Sequence, residues 1–207
     1  MSLALDKPLK PVTAIVGGSK ISTKIELLNN LSNKVEYLII GGAMANTFLS
    51  AQGYGIGISL TEKKMLQTAK KIIQELKYKK CKLVLPLDIV CADSLNEKKE
   101  VKTFRVDCCP IDKMILDIGI QSQKNIKDII NKSKTLIWNG PLGAFETRPF
   151  DQGTNNIANY AANRTSKKQL ISIAGGGDTV SALKKSASIS KFSYVSTAGG
   201  AFLEWLE

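Results

Sequence analysis

The sequence predicts a three-layer α/β fold in which a doubly wound parallel sheet carries helices on both faces. Three observations support this. Short β-rich runs alternate with helical patterns, in the order strand, glycine turn, helix, five times along the 207 residues. Eleven of the 16 glycines fall in clusters just after those runs. Hydrophobic residues make up 43% of the chain but aromatics only 6%, so an aliphatic core is expected. No proline- or serine-rich linker divides the chain, and its length suits one unit, so a single Rossmann-like domain is expected.

The elements follow in order. Val12 to Val16 reads as a strand ended by Gly17-Gly18. From Ile21 to Leu31, the residues Ile21, Ile25, Leu28 and Leu31 recur at helical spacing. Tyr37 to Ile40 is a strand ended by Gly41-Gly42, and Ala43 to Ala51 a helix. Thr61 to Lys77 is the clearest amphipathic helix, with Thr61 at its N-cap. Leu83 to Leu85 and Ile89-Val90 surround Pro86, so a strand there must bend or end. Residues 93–120 read as polar and irregular, with one strand from Thr103 to Val106. A helix around Ile126 to Ile130 leads to a strand, Thr135 to Trp138, ended by Asn139-Gly140-Pro141. Thr154 to Ala162 is a helix. Leu170 to Ala174 is a strand ended by Gly175-Gly176-Gly177. A helix from Thr179 to Lys185, a strand from Tyr194 to Ser196 and a last helix opened by Gly199-Gly200 complete the chain.

Composition excludes several kinds of chemistry. There is no histidine, which removes Ser-His-Asp and Cys-His nucleophile systems and His-ligated zinc; any general acid or base must be Asp, Glu, Lys, Tyr or Cys. The four cysteines (Cys81, Cys91, Cys108, Cys109) form no C-x-x-C pair and are expected as reduced thiols. The net charge is +11, but 26 of the 29 basic residues are lysine, whereas specific nucleic-acid readers lean on arginine. Solvated lysines and an anionic small ligand, with no nucleic-acid partner, are the expectation. No apolar run reaches the length of a membrane span and no leader pattern opens the chain, so a cytoplasmic protein without a membrane partner is expected.

The glycines carry the functional argument. The clusters at 17–18, 41–42, 140 and 143, 175–177 and 199–200 all lie at carboxyl ends of predicted strands. In a parallel sheet those ends share one edge, where ligands bind. Free amides at the following helix N-termini favour phosphate. After the first turn, Lys20 and Lys24 are spaced to share a helix face, which would suit an anion between them. In Gly175-Gly176-Gly177-Asp178-Thr179, Asp178 is placed to cap a helix and, beside a phosphate, to hold Mg²⁺. The phosphate loop G-x-x-x-x-G-K-[ST] and the dinucleotide turn G-x-G-x-x-G are both absent, which argues against a dehydrogenase on the same sheet. A non-enzymatic polyanion-binding module stays as the alternative.

At this point the segments resemble a known family. Gly17-Gly18-Ser19-Lys20-Ile21-Ser22-Thr23-Lys24 resembles the G-G-[AS]-K-x-x-x-K segment of phosphoglycerate kinases. Trp138-Asn139-Gly140-Pro141-Leu142-Gly143-Ala144-Phe145-Glu146 is similar to that family's W-N-G-P-x-G-x-F-E signature. Gly41 to Leu49, Leu85 to Asp88, Leu116 to Gly119, Gly175 to Thr179 and Ser196 to Ala201 fit in the family's order. The resemblance runs from about Lys7 to Glu207 and covers the family's C-terminal, nucleotide-binding half.

It implies phosphoryl transfer between 1,3-bisphosphoglycerate and ADP, giving 3-phosphoglycerate and ATP, with Mg²⁺ carried on the nucleotide. Residues 1–11 would be a start and interdomain-boundary segment, and residues 12–207 the nucleotide-binding domain. Met1-Ser2-Leu3 reads as an expression start joined to an internal boundary. By the same resemblance, Lys24 contacts the α-phosphate, Glu146 the ribose hydroxyls and Asp178 the Mg²⁺, with Thr179 beside it and Gly176 in the same turn. Asn139 and Pro141 line the phosphate path. Gly17, Gly18, Gly41, Gly42 and Leu116 form the adenine slot. Lys20, with amides at Gly177, Gly199 and Gly200, steadies the transferring phosphoryl. Three positions depart from the pattern: Ala198 stands for a glycine, and Ile115 and Ile120 stand where the family more often has Gly and Pro, with Ile115 near the adenine slot. The N-terminal half that would bind 3-phosphoglycerate is absent, so a monomer that binds nucleotide with little or no turnover is expected.

Overall fold

The computed structural model describes residues 8–96 and 101–196. Six strands form one parallel sheet: β1 (Val12–Val16), β2 (Tyr37–Ile40), β3 (Lys82–Val84), β7 (Thr135–Asn139), β8 (Ile171–Gly175) and β9 (Tyr194–Ser196), in the spatial order β3-β2-β1-β7-β8-β9. All five pairings are parallel. Such a sheet must be covered on both faces, because its crossovers place helices there. Alternation along each strand divides the cover. Val12, Ala14 and Val16 of β1 point into one core, while Ile15 points into the other. The first core takes α1 (Ile25–Lys34), α2 (Gly42–Ala51) and α3 (Leu66–Tyr78) through Leu28, Phe48 and Ile72. The second takes α4 (Ile120–Lys132), α5 (Gln152–Ser166) and α6 (Gly177–Lys185) through Ile130, Ile157 and Leu183. The doubly wound, three-layer, single-domain expectation holds.

One part of the architecture was not foreseen. β4 (Asp88–Ala92), β5 (Lys102–Arg105) and β6 (Met114–Ile118) form a separate antiparallel sheet, ordered β5-β4-β6. The stretch read as irregular therefore contains a strand, β6, that was missed. Pro86 ends β3, and the chain then enters this second sheet instead of bending within the first. A small third core of Ala92, Leu116 and Phe150 lies against it. The sheet is tied to α4 by Asp88. Its Oδ2 accepts the Gln121 amide at 3.0 Å, and its Oδ1 accepts the Ser122 amide at 2.7 Å and the Ser122 hydroxyl at 2.5 Å. The cap of α4 thus comes from a strand 33 or 34 residues earlier.

Two helix starts differ from expectation. The first helix begins at Ile25, with residues 21–24 forming a turn closed by the Lys24 amide on the Ile21 carbonyl at 2.8 Å. The Ser22 amide and hydroxyl both bond the Glu62 carboxylate, at 3.1 and 2.6 Å, which holds that turn out of the helix. The third helix begins at Leu66, after a short 3₁₀ turn at Lys63–Met65, and Thr61 is not its cap. The last helix expected, from Gly199, lies outside the described residues.

Candidate functional site

The sheet has a switch point. From β1 the chain winds outward to β2, and from β7 it winds the other way to β8, with β1 and β7 adjacent. Registers Val16↔Ile40, Val16↔Asn139 and Trp138↔Ala174 bring the carboxyl ends of all four strands level. The turns beyond them interlock. The Gly17 amide bonds the Asn139 carbonyl, and the Gly42 amide the Leu142 carbonyl, both at 2.9 Å. A cleft of about 430 Å³ opens here, in the size range of small-molecule sites. Its lining includes Gly18 and Gly42 from the turns, Ile115 and Leu116 from β6, Pro141 to Glu146 from the loop after β7, and Asp178 from α6.

Four of the five glycine clusters therefore share one edge; the fifth, with Gly199 and Gly200, lies outside the described residues. Their reason for being glycine is not uniform. A Cβ on Gly17 would stand 1.8 Å from the Pro141 carbonyl oxygen. Gly42 has φ +65° and would meet the Gly18 carbonyl oxygen at 2.6 Å. These glycines let the turns press on each other. Of the expected adenine slot, Gly18, Gly42 and Leu116 line the cleft, while Gly17 and Gly41 are buried and do not line it. Gly177 is the contrast: a Cβ there meets nothing within 4 Å, and the residue is exposed at the first position of α6.

Lys20 and Lys24 do not share a helix face, because neither lies within the helix. Lys20 is exposed, and its charge acts on Glu62. Lys24 sits at the N-cap of α1 and turns its ammonium inward. It donates to the Gly17 carbonyl at 2.8 Å, the Asn139 carbonyl at 3.2 Å and Asn139 Oδ1 at 2.5 Å. Those contacts engage all three of its N–H donors. Burial pushes the ammonium down from 10.5 to about 8, while the Asp178 carboxylate pulls the other way.

Asn139 is 3% exposed. Besides accepting from Lys24, it donates Nδ2 to the Gly175 carbonyl at 3.1 Å, linking the turns after β1, β7 and β8. Thr179 is 1% exposed and accepts the Gly140 amide at 2.6 Å. Both stitch the switch point from beneath, and neither lines the cleft. Trp138 is likewise buried, its indole N–H donating to the Gly140 carbonyl at 2.7 Å.

Three acidic residues are among those lining the cleft: Asp117, Glu146 and Asp178. They are not equivalent. Asp117 is 3% exposed and accepts the Ile118 amide at 2.8 Å and the Gly153 amide at 2.7 Å. Burial pushes its carboxyl up to about 8, against the pull of those two amides. Asp178 is exposed in the first turn of α6. Among the described residues no cluster of three or more Asp, Glu or Cys could cage a metal ion. A single open carboxylate such as Asp178 fits a magnesium ion that arrives on phosphates, since Mg²⁺ typically takes one or two carboxylates and completes its shell with phosphate and water.

Sequence reasoning missed Leu60, Leu95, Met114 and Ile118 in the cleft wall. The apolar run Met114-Ile115-Leu116 was the available signal. A larger groove, about 740 Å³, lies at the β3 edge, lined by Lys77, Lys80, Lys82, Leu83 and Leu85 among others. Its lining holds no carboxylate and none of the candidate residues, several of which line the smaller cleft instead.

Comparison with known proteins bears on identity. The sequence model of the family described as phosphoglycerate kinase matches residues 1–207. The phosphoglycerate kinase of Methylorubrum extorquens (strain PA1) is 54% identical over 207 residues, covering 100% of this chain and 52% of that protein. That of Bradyrhizobium diazoefficiens is 54% identical over 204 residues, 99% of this chain and 51% of that one. Among solved structures, the phosphoglycerate kinase of Coxiella burnetii superposes with a TM-score of 0.94 at 45% identity, covering 99% of this chain and 52% of that one. The chain thus spans about half the length of the relatives it matches. Matched from first residue to last, and with this similarity in both sequence and fold, it belongs to the phosphoglycerate kinase family.

Proposed function

We propose that the chain is the nucleotide-binding half of a glycolytic kinase, with residues 12–207 as the binding domain and residues 1–11 as the segment leading from the other half. It binds ADP or ATP carrying Mg²⁺, and the complete enzyme moves a phosphoryl group between 1,3-bisphosphoglycerate and ADP. One observation carries the reading: an apolar-walled cleft at the switch point is lined by two further carboxylates, Glu146 and Asp178, besides the amide-bound Asp117. Leu116 and Ile115 offer a face to the purine, Glu146 acceptors for the ribose hydroxyls, and Asp178 a magnesium ligand beside Thr179. Bound Mg²⁺ neutralises phosphate charge. The amides at Gly176 and Gly177, at the start of α6, suit phosphate oxygens. Lys24 reaches the α-phosphate by exchanging one of its present acceptors, of which Asn139 Oδ1 is the side-chain one.

Phosphoryl transfer of this kind needs positioning and charge neutralisation more than a protein nucleophile, so a chain without histidine can support it. The exposure of Lys20 suits a role facing the other half, together with Gly177, Gly199 and Gly200. 3-Phosphoglycerate is bound by that other half. Calorimetric titration with MgADP tests the binding claim. Saturable binding, weakened by Lys24→Ala, is expected. No heat and no thermal shift at millimolar nucleotide would defeat it.

A further inference from the structure

Lys185 closes α6, and its side chain leaves the helix for a definite target. Its ammonium donates to the Phe145 carbonyl at 2.8 Å and to the Glu146 carbonyl at 3.1 Å, and stands 3.4 Å from Asp151 Oδ2. Asp151 is 5% exposed in its side chain and also accepts Asn155 Nδ2 at 3.0 Å. Two successive carbonyls thus face one cation, while Glu146 is among the residues that line the cleft. The Phe145 side chain is buried at 5% exposure, which fixes the same loop from its other side. The opposite end of α6 carries Asp178, also in the cleft lining. From Asp178 to Lys185 the helix rises roughly 10 Å. One rigid element therefore carries the magnesium candidate directly and anchors the ribose candidate through the carbonyls of its loop.

We infer that Lys185 is a positioning residue: by holding the Phe145 and Glu146 carbonyls it aims the Glu146 carboxylate at the ribose hydroxyls and sets its spacing from Asp178. This rests on the ribose role proposed for Glu146. The test is calorimetric titration of the 207-residue chain with MgADP and with the magnesium complex of 2′,3′-dideoxy-ADP. The unaltered chain prefers ADP. Lys185→Met keeps the apolar stem and removes the donors; it lowers affinity for ADP roughly fivefold and leaves that for the dideoxy nucleotide unchanged. In Glu146→Ala, adding Lys185→Met costs no further affinity. Lys185→Arg, whose guanidinium can bridge the same oxygens, keeps most of the preference.

Equal losses for both nucleotides in Lys185→Met, an intact preference there, or an arginine variant as poor as the methionine one would overturn the inference while leaving nucleotide binding in place. An unaltered chain that binds both nucleotides equally would overturn the ribose role of Glu146, and the inference with it. One that binds neither would overturn the nucleotide reading itself.

Discussion

At the scale of single residues, the glycines separate into those that pack and those that stand open. Gly17→Ala drives a methyl group into the Pro141 carbonyl and should cost more than about 2 kcal/mol in denaturant unfolding. Gly177→Ala meets nothing and should change stability by less than about 0.5 kcal/mol, so any loss of nucleotide affinity there reports on the ligand. Lys24 gives a pH prediction with a definite sign. Its ammonium is lowered from 10.5 to about 8, so between those values the unfolded chain holds a proton that the native one has released. Stability from this group therefore rises with pH across that window and is lost as pH falls through 8. Unfolding free energies of the unaltered chain and Lys24→Met, compared at pH 7 and pH 9, should diverge by about 1 kcal/mol in favour of the unaltered chain. No divergence would mean that the lysine is not desolvated. That Lys24 and Asp178 belong together was legible from motif order. That Lys24 is spent on Asn139 was not, because its partner lies 115 residues away and no local pattern records it.

Among the elements, four strand-to-turn-to-helix units within the described residues were legible because buried parallel strands appear as apolar runs without alternation, as in Leu38 to Ile40 and Leu136 to Trp138. The antiparallel sheet was less so. β5, Lys102–Arg105, was read one residue late, as Thr103 to Val106, but its mostly exposed residues gave no sign of its partners, and β6, which opens with a partly exposed Met114-Ile115, was missed. One of its connections to the main body runs through Asp88, whose two oxygens cap α4 from another sheet. Removing a buried cap leaves amides unpaired, so Asp88→Ala should destabilise by about 2 kcal/mol in chemical denaturation. Because β6 and α4 join at Gly119 beside the cleft wall, the same variant should also weaken nucleotide binding. A variant as stable as the unaltered chain would show that the cap is dispensable. The early start expected for α1 failed for a comparable reason: Glu62 claims Ser22 across 40 residues, and helical spacing alone does not reveal that competitor.

For the whole molecule, a chain that spans about half the length of its relatives should bind nucleotide without catalysing. The relatives are about twice as long, and closure of two bodies around a reacting phosphoryl excludes water. Phosphoryl transfer from this chain alone, followed by a coupled assay, should be indistinguishable from background, and turnover comparable to a full-length relative would show that this chain is sufficient for the reaction. Removing Mg²⁺ with a chelator should weaken nucleotide binding, and Asp178→Asn should abolish that magnesium dependence. The most direct measurement is an MgADP titration followed by the backbone amide resonances of the labelled chain. Shifts should gather at Gly18, Gly42, Leu116, Ala144 to Glu146 and Gly176 to Asp178, with none at the β3-edge groove around Lys80 and Lys82. Shifts confined to that groove, or spread over both faces of the sheet, would contradict the placement of the nucleotide at the switch point.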